Sequence, residues 1–158
     1  MQYYDLADLD HDPEIAKALG NLVVVWARTE SALSFVLSEV MEINPNKAQI
    51  IFHRIPGFQG KINFIKTLIE QSDYGYDRKG KLLSSVSLFE KLALQRNHWI
   101  HGIWCVNEGR HETSLFHFRG KAEAQRTPVK AKDIIDHITA VQGEIEKIRV
   151  LLPSMPWT

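Results

Sequence analysis

One run of apolar residues near the C-terminal end constrains the fold more than any other feature of the sequence. Its members are separated by alternating steps of four and three positions: Ile134, Ile138, Val141, Ile145, Ile148 and Leu152. Steps of this size keep side chains on one face of an α-helix, which has about 3.6 residues per turn. Thr127 and Pro128 precede the run, a residue that can cap a helix followed by a proline, which is favoured at helix starts. Pro153 follows the run and cannot continue a helix. The pattern predicts an amphipathic helix over 131–151.

Weaker stripes of the same kind predict four earlier helices, over 12–42, 45–54, 58–71 and 78–101. The first begins at Asp12-Pro13, a capping carboxylate followed by proline. Two short β-prone runs, 103–106 and 115–118, predict a β-hairpin. We therefore predict an all-α fold, an antiparallel up-and-down helical bundle with a short β-hairpin inserted before the last helix. Residues 1–11 are predicted to form a flexible acidic arm, and 12–158 a single domain.

Composition narrows the class of protein. The 158 residues balance 19 Lys and Arg against 19 Asp and Glu, so the formal net charge is zero. This excludes a strongly basic protein that coats nucleic acid, but it leaves room for a local basic site. A single cysteine, Cys105, excludes an intrachain disulfide and a cysteine-rich metal cluster. With neither a secretory signal nor an apolar run of roughly 20 residues, we expect a cytoplasmic protein with no membrane partner.

The segment from Gln95 to Gly102, QRNHWIHG, carries the residues suited to chemistry. At 100° per residue, Asn97, His101 and His98 fall within an arc of about 100° on one face of the predicted helix. His101 is the last residue before a glycine, which is typical of a helix end. Because histidine exchanges protons near neutral pH, a histidine here suits acid–base catalysis.

Arg96 falls in the apolar stripe of the same helix, and Glu30 falls in the apolar stripe of the first helix. A lone charge buried in such a stripe is very costly. We therefore predict a structural ion pair between Glu30 and Arg96.

Together these residues resemble a known motif. An arginine followed by a polar residue, with a histidine five positions after the arginine and then a glycine, resembles the motif of the HEPN superfamily. Trp26 and Glu30 in the first helix, and the aromatic hairpin after the motif, are similar to uncharacterised bacterial members. The resemblance in architecture covers most of the chain and implies a HEPN-like helical domain over 12–158, whereas the specific signal is only a few residues.

The resemblance implies a metal-independent endoribonuclease of toxin or defence type that acts as a homodimer. Its reaction would be attack of a ribose 2′-hydroxyl on the adjacent phosphate. His101 would be the general acid or base, Arg96 would stabilise charge in the transition state, and Asn97 would orient them or touch phosphate. His98 lies outside the family pattern and is a candidate for substrate binding. The implied partners are RNA and an antitoxin or other protein, with no cofactor.

Charge is uneven along the chain and bears on RNA binding. Residues 1–79 hold 8 basic and 11 acidic residues, whereas 80–158 hold 11 basic and 8 acidic. Within the second half, the basic stretch 110–132 includes Arg110, Arg119 and Lys121 as candidates for binding phosphate. A solvated loop explains the same stretch equally well.

Two alternatives stay open. In the first, the chain is a non-catalytic dimeric bundle that binds RNA, nucleotide or a protein partner, with Arg96 structural and His101 a helix cap. In the second, His98, His101, His111 and His117 form a zinc site. The zinc site is the weaker idea, because tight ligand spacing and acidic ligands are missing, so we expect no metal.

Overall fold

The computed structural model describes residues 4–6, 9–107, 112–117 and 125–157. Five helices dominate it: α1 (Pro13–Met41), α2 (Pro45–Arg54), α3 (Phe58–Gln71), α4 (Tyr76–His101) and α5 (Ala131–Leu151). Four short strands complete the fold: β1 (Tyr4–Leu6), β2 (Ile103–Asn107), β3 (Glu112–His117) and β4 (Gln125–Pro128). The prediction of a mostly helical chain is confirmed, and each predicted helix lies within two residues of its observed bounds.

Two helix starts follow from capping side chains. Asp12 Oδ1 accepts a hydrogen bond from the Ile15 N–H at 3.3 Å, and proline occupies the first position of α1. Asn44 Oδ1 accepts from the Asn46 N–H at 2.9 Å, and Pro45 begins α2. In both cases a short polar side chain satisfies an N–H that has no partner within the helix, and proline removes one such N–H.

The strands form one antiparallel sheet in the order β1-β2-β3-β4. β2 and β3 overlap the two runs predicted as strands, and their register pairs Cys105 with Ser114. β1 and β4 were not predicted: β1 pairs with β2 through three residues, and β4 pairs with β3 through four. The first of these strands falls within the segment predicted as an arm.

The chain divides into two compact units. The sheet unit comprises Met1–Val24 and Leu94–Ile138, and the helical unit comprises Val25–Ala93 and Thr139–Thr158. Helices α1, α4 and α5 each contribute residues to both units.

The helical unit has an apolar core and three ion pairs between helices. Its fully buried side chains come from all five helices: Leu33, Leu37, Phe52, Ile62, Ile65, Ile69, Leu82, Phe89, Ile148 and, just after α5, Leu152. Each ion pair joins two different helices: Glu30 with Lys61, Glu39 with Arg78, and Glu90 with Lys66. The core supplies most of the stabilisation, since partly exposed ion pairs contribute about 1 kcal/mol or less each.

Within the sheet unit, the Asp12 carboxylate links helix α1 to strand β3. Asp12 Oδ2 accepts a hydrogen bond from Thr113 Oγ1 at 2.7 Å, while its other oxygen caps α1. Thr113 is buried, and its own carbonyl accepts from the Val129 N–H at 3.1 Å. The carboxylate therefore links the start of α1 to strand β3.

Among the described residues, the helices are too short or too polar to cross a lipid bilayer.

We expect Asp12→Ala to lower the free energy of unfolding by about 2 kcal/mol, because it removes a helix cap and leaves the buried Thr113 hydroxyl without its acceptor. Chemical denaturation measures the change. Asp12→Asn is the matched control and should cost clearly less, since its amide retains a capping oxygen and can hydrogen-bond to Thr113. A loss below about 0.5 kcal/mol in Asp12→Ala would show that the cap and the bond to Thr113 contribute little.

Candidate functional site

The candidate site is the last turn of α4, and its position is set by how that helix ends. The Gly102 N–H donates to the His98 carbonyl at 3.0 Å. The Trp104 indole Nε1–H, from the beginning of β2, donates to the Trp99 carbonyl at 2.9 Å. Two carbonyls that a helix end leaves without partners are thus satisfied, and the last turn is fixed to the strand that follows.

Gly102 follows the last residue of α4, as the sequence indicated. Its φ is not positive, so the left-handed conformation of many helix-ending glycines does not explain the residue. Instead, a Cβ at this position would lie 2.6 Å from the His98 carbonyl oxygen and 2.7 Å from the Leu115 side chain. The helix end packs so closely against β3 that a side chain at this position would force one of them to shift.

Three of the predicted site residues lie close together on this turn. Arg96 Nη1 donates to Asn97 Oδ1 at 3.0 Å. Asn97 and His101 are both exposed, and a spacing of four residues places them next to each other on the helix surface. Arg96 is half-buried, with its Nε atom shielded from solvent, which agrees with its predicted place in the apolar stripe. The turn thus presents an imidazole, an amide and a partly buried guanidinium.

The other candidate residues are distributed differently. His98 is half-buried on the same turn. Arg110, Arg119 and Lys121 lie outside the described residues, as does His111. Glu30 pairs with Lys61, whose Nζ is 3.3 Å from Glu30 Oε1. The Glu30–Arg96 ion pair stays a prediction.

One member of the basic stretch, Arg126 on β4, is described and half-buried in the sheet unit. Its charge acts on the buried Cys105 thiol: burial raises the pKa of Cys105, and nearby Arg126 offsets part of that rise. The thiol is therefore held in its neutral form, which fits a small core residue and not a nucleophile.

The sequence reasoning missed His137, a buried histidine of α5. Its imidazole contacts Trp99 edge-to-face, with ring centroids 5.0 Å apart and planes at 87°. His137 Nε2 is buried and has no hydrogen-bond partner among the described residues. Burial lowers the pKa of His137 below its ordinary value. His137 borders the apolar stripe that begins at Ile134, so the helical pattern contained the signal.

In the described part of the chain, no three histidine, cysteine or carboxylate side chains are grouped so that they could hold a metal ion. The residues of the last turn are instead of the types that bind phosphate and transfer protons: a guanidinium, an amide and an imidazole.

Comparisons of the chain with protein-family models, with curated proteins and with solved structures gave no match.

We expect Gly102→Ala to lower the free energy of unfolding by about 1–3 kcal/mol, because the new methyl group would overpack the contact with His98 and Leu115. Thermal or chemical denaturation gives the value. The matched control is Gly20→Ala in the middle of α1, where a Cβ meets nothing within 4 Å. That change should stabilise the helix by about 0.5–1 kcal/mol, so a loss in both variants would contradict the packing explanation.

His137 should make the fold sensitive to acid. Because its pKa is lowered in the folded state, the unfolded chain binds the proton more readily, and stability falls as pH drops below the ordinary value of 6.5. Denaturation between about pH 7 and about pH 5 should show a steeper loss for the wild type than for His137→Phe, which keeps the aromatic contact with Trp99. The exposed His11→Phe is the control. The same pH dependence in His137→Phe and wild type would remove His137 as the cause.

Proposed function

We propose that the chain is a metal-independent endoribonuclease that acts as a homodimer. The observation that carries the proposal is the exposed His101 at the end of α4, next to exposed Asn97, whose side-chain oxygen is bound by Arg96. These residues match, one by one, the HEPN-like motif of the sequence. The antiparallel up-and-down arrangement of the helices is part of the same proposal.

The proposed reaction is an internal transesterification of RNA. The ribose 2′-oxygen attacks the adjacent phosphorus, a base takes up the 2′-hydroxyl proton, and the bond from phosphorus to the 5′-oxygen breaks. An acid delivers a proton to the departing 5′-oxygen, and the products are a 2′,3′-cyclic phosphate and a 5′-hydroxyl. Every atom is supplied by the RNA and by proton exchange, so the reaction needs neither a metal ion nor a cofactor.

The roles follow from the chemistry of each group. An imidazole can act as base when neutral and as acid when protonated, so two copies of His101 in a dimer would supply both functions. Arg96 would stabilise the extra negative charge of the pentacoordinate phosphorane. Asn97 would hold the guanidinium through its side-chain oxygen and offer its amide N–H groups to phosphate.

Basic side chains in the sheet unit support binding of RNA. β4 carries Arg126, and the exposed Lys130 follows it. The exposed Lys132 lies in the first turn of α5 and is paired with Asp136. Because net charge is zero, affinity would come from a few local phosphate contacts and would weaken with added salt. An antitoxin or other protein partner would cover the same face in a toxin-type system.

A second candidate is a non-catalytic dimer that binds RNA, nucleotide or a protein. One observation favours it: the guanidinium of Arg96 is half-buried and one of its N–H groups bonds to Asn97 within the chain. An arginine held in this way suits a structural role, with His101 at the helix end as a cap.

Cleavage of total RNA in the presence of EDTA tests the proposal. We expect His101→Ala to lower the cleavage rate by about 10²–10⁴-fold, the usual contribution of a general acid or base. The exposed His53→Ala, on α2, is the matched control and should retain full activity. Detection of 2′,3′-cyclic phosphate ends would identify the reaction.

Two outcomes would contradict the nuclease. One is wild-type protein that leaves RNA intact, and the other is cleavage that survives in His101→Ala. If Arg96→Ala lowers stability while RNA remains intact with wild-type protein, the second candidate is favoured.

A further inference from the structure

A cavity of about 250 Å³ lies in the helical unit, separate in its residues from the last turn of α4. Its walls come from α1, α2, α5 and the segment that follows α5. The lining combines aromatic rings, two guanidinium groups, one carboxylate and a side-chain amide, from Phe35, Trp157, Arg28, Arg149, Glu146 and Gln49. This combination is typical of a ligand site, in which apolar walls carry a small number of polar groups.

The aromatic wall is held in place by two contacts. The rings of Trp157 and Phe35 meet edge-to-face, with centroids 4.9 Å apart and planes at 78°. The Trp157 indole N–H donates to the Leu152 carbonyl at 2.8 Å. Trp157 is nevertheless only half-buried, so a fixed indole remains partly open to the cavity. A fixed, accessible aromatic surface favours a flat ring as ligand.

The charge of the cavity favours an anion. Arg28 is exposed, and among the described residues no carboxylate is paired with it. Arg149 is partly neutralised, since its Nη1 lies 3.1 Å and 3.5 Å from the two carboxylate oxygens of Glu146. The positive charge of the cavity that is not neutralised therefore lies mainly on Arg28. A guanidinium can bind a carboxylate or a phosphate group through two parallel hydrogen bonds.

We propose that this cavity binds a small molecule in which a flat aromatic ring carries one carboxylate or phosphate group. The ring lies against Trp157, and the anionic group is bound by Arg28 with a further N–H donated by Gln49. The volume of about 250 Å³ lies just below the range of roughly 300–1,000 Å³ that is usual for ligand pockets, so the ligand is compact.

Titration of the isotope-labelled protein with phenyl phosphate and with benzoate tests the proposal. We expect saturable shifts of the Trp157 indole N–H resonance, assigned with Trp157→Phe, while the indole resonances of Trp26, Trp99 and Trp104 stay in place. Saturable binding of either compound supports the site, and the tighter of the two identifies the anionic group. Inorganic phosphate and benzyl alcohol, which each lack one half of the ligand, should bind at least roughly tenfold more weakly.

Arg28→Ala should weaken binding of the preferred compound by roughly tenfold, the usual effect of losing a charge-assisted hydrogen bond. Arg54→Ala, an exposed arginine of α2 outside the cavity, is the matched control and should bind as the wild type does. The proposal is overturned if neither aromatic anion gives a saturable shift, if inorganic phosphate alone binds equally well, or if Arg28→Ala binds with unchanged affinity.

Discussion

The candidate site depends on how α4 ends. A helix leaves its last carbonyl groups without partners, and two of those in α4 are satisfied by the Gly102 N–H and by the Trp104 indole. Both donors belong to the chain immediately after the helix. The direction of β2 and the position of the last helical turn are thus fixed by the same contacts. The exposed imidazole of His101 is held on a rigid element, a condition that both binding and catalysis require.

The helices could be predicted closely from the sequence because their apolar stripes are long and their starts carry capping residues. Asp12-Pro13 and Asn44-Pro45 each define a boundary by local chemistry alone. The strands β1 and β4 could not be predicted in this way. Gln125–Pro128 is polar and contains proline, which is tolerated at an edge of a sheet, and Tyr4–Leu6 is too short to show an alternating pattern. β1 and β4 are strands because they pair with β2 and β3. The residues of β1 and β4 alone do not indicate that pairing.

In the candidate site too, features set by helical spacing could be predicted, whereas contacts between different elements could not. The shared face of Asn97 and His101 follows from helical spacing, so the sequence was sufficient to group them. The close approach of Leu115 to Gly102 joins residues of different elements, so the sequence showed a glycine at the helix end but not the packing that explains it. His137 was overlooked because the position of a single histidine at the border of an apolar stripe does not show which residue it contacts in the folded chain. Its partner Trp99 lies on another helix.

The placement of β1 has a consequence for how this protein can be handled. β1 covers the outer side of β2, whose N–H and C=O groups would otherwise face solvent along that side. A shortened chain that begins at residue 9 would keep every helix but uncover a row of backbone donors and acceptors. Open strand edges of this kind pair readily with other chains. β1 is itself an edge strand, but its three residues offer a shorter open edge than the five residues of β2 would.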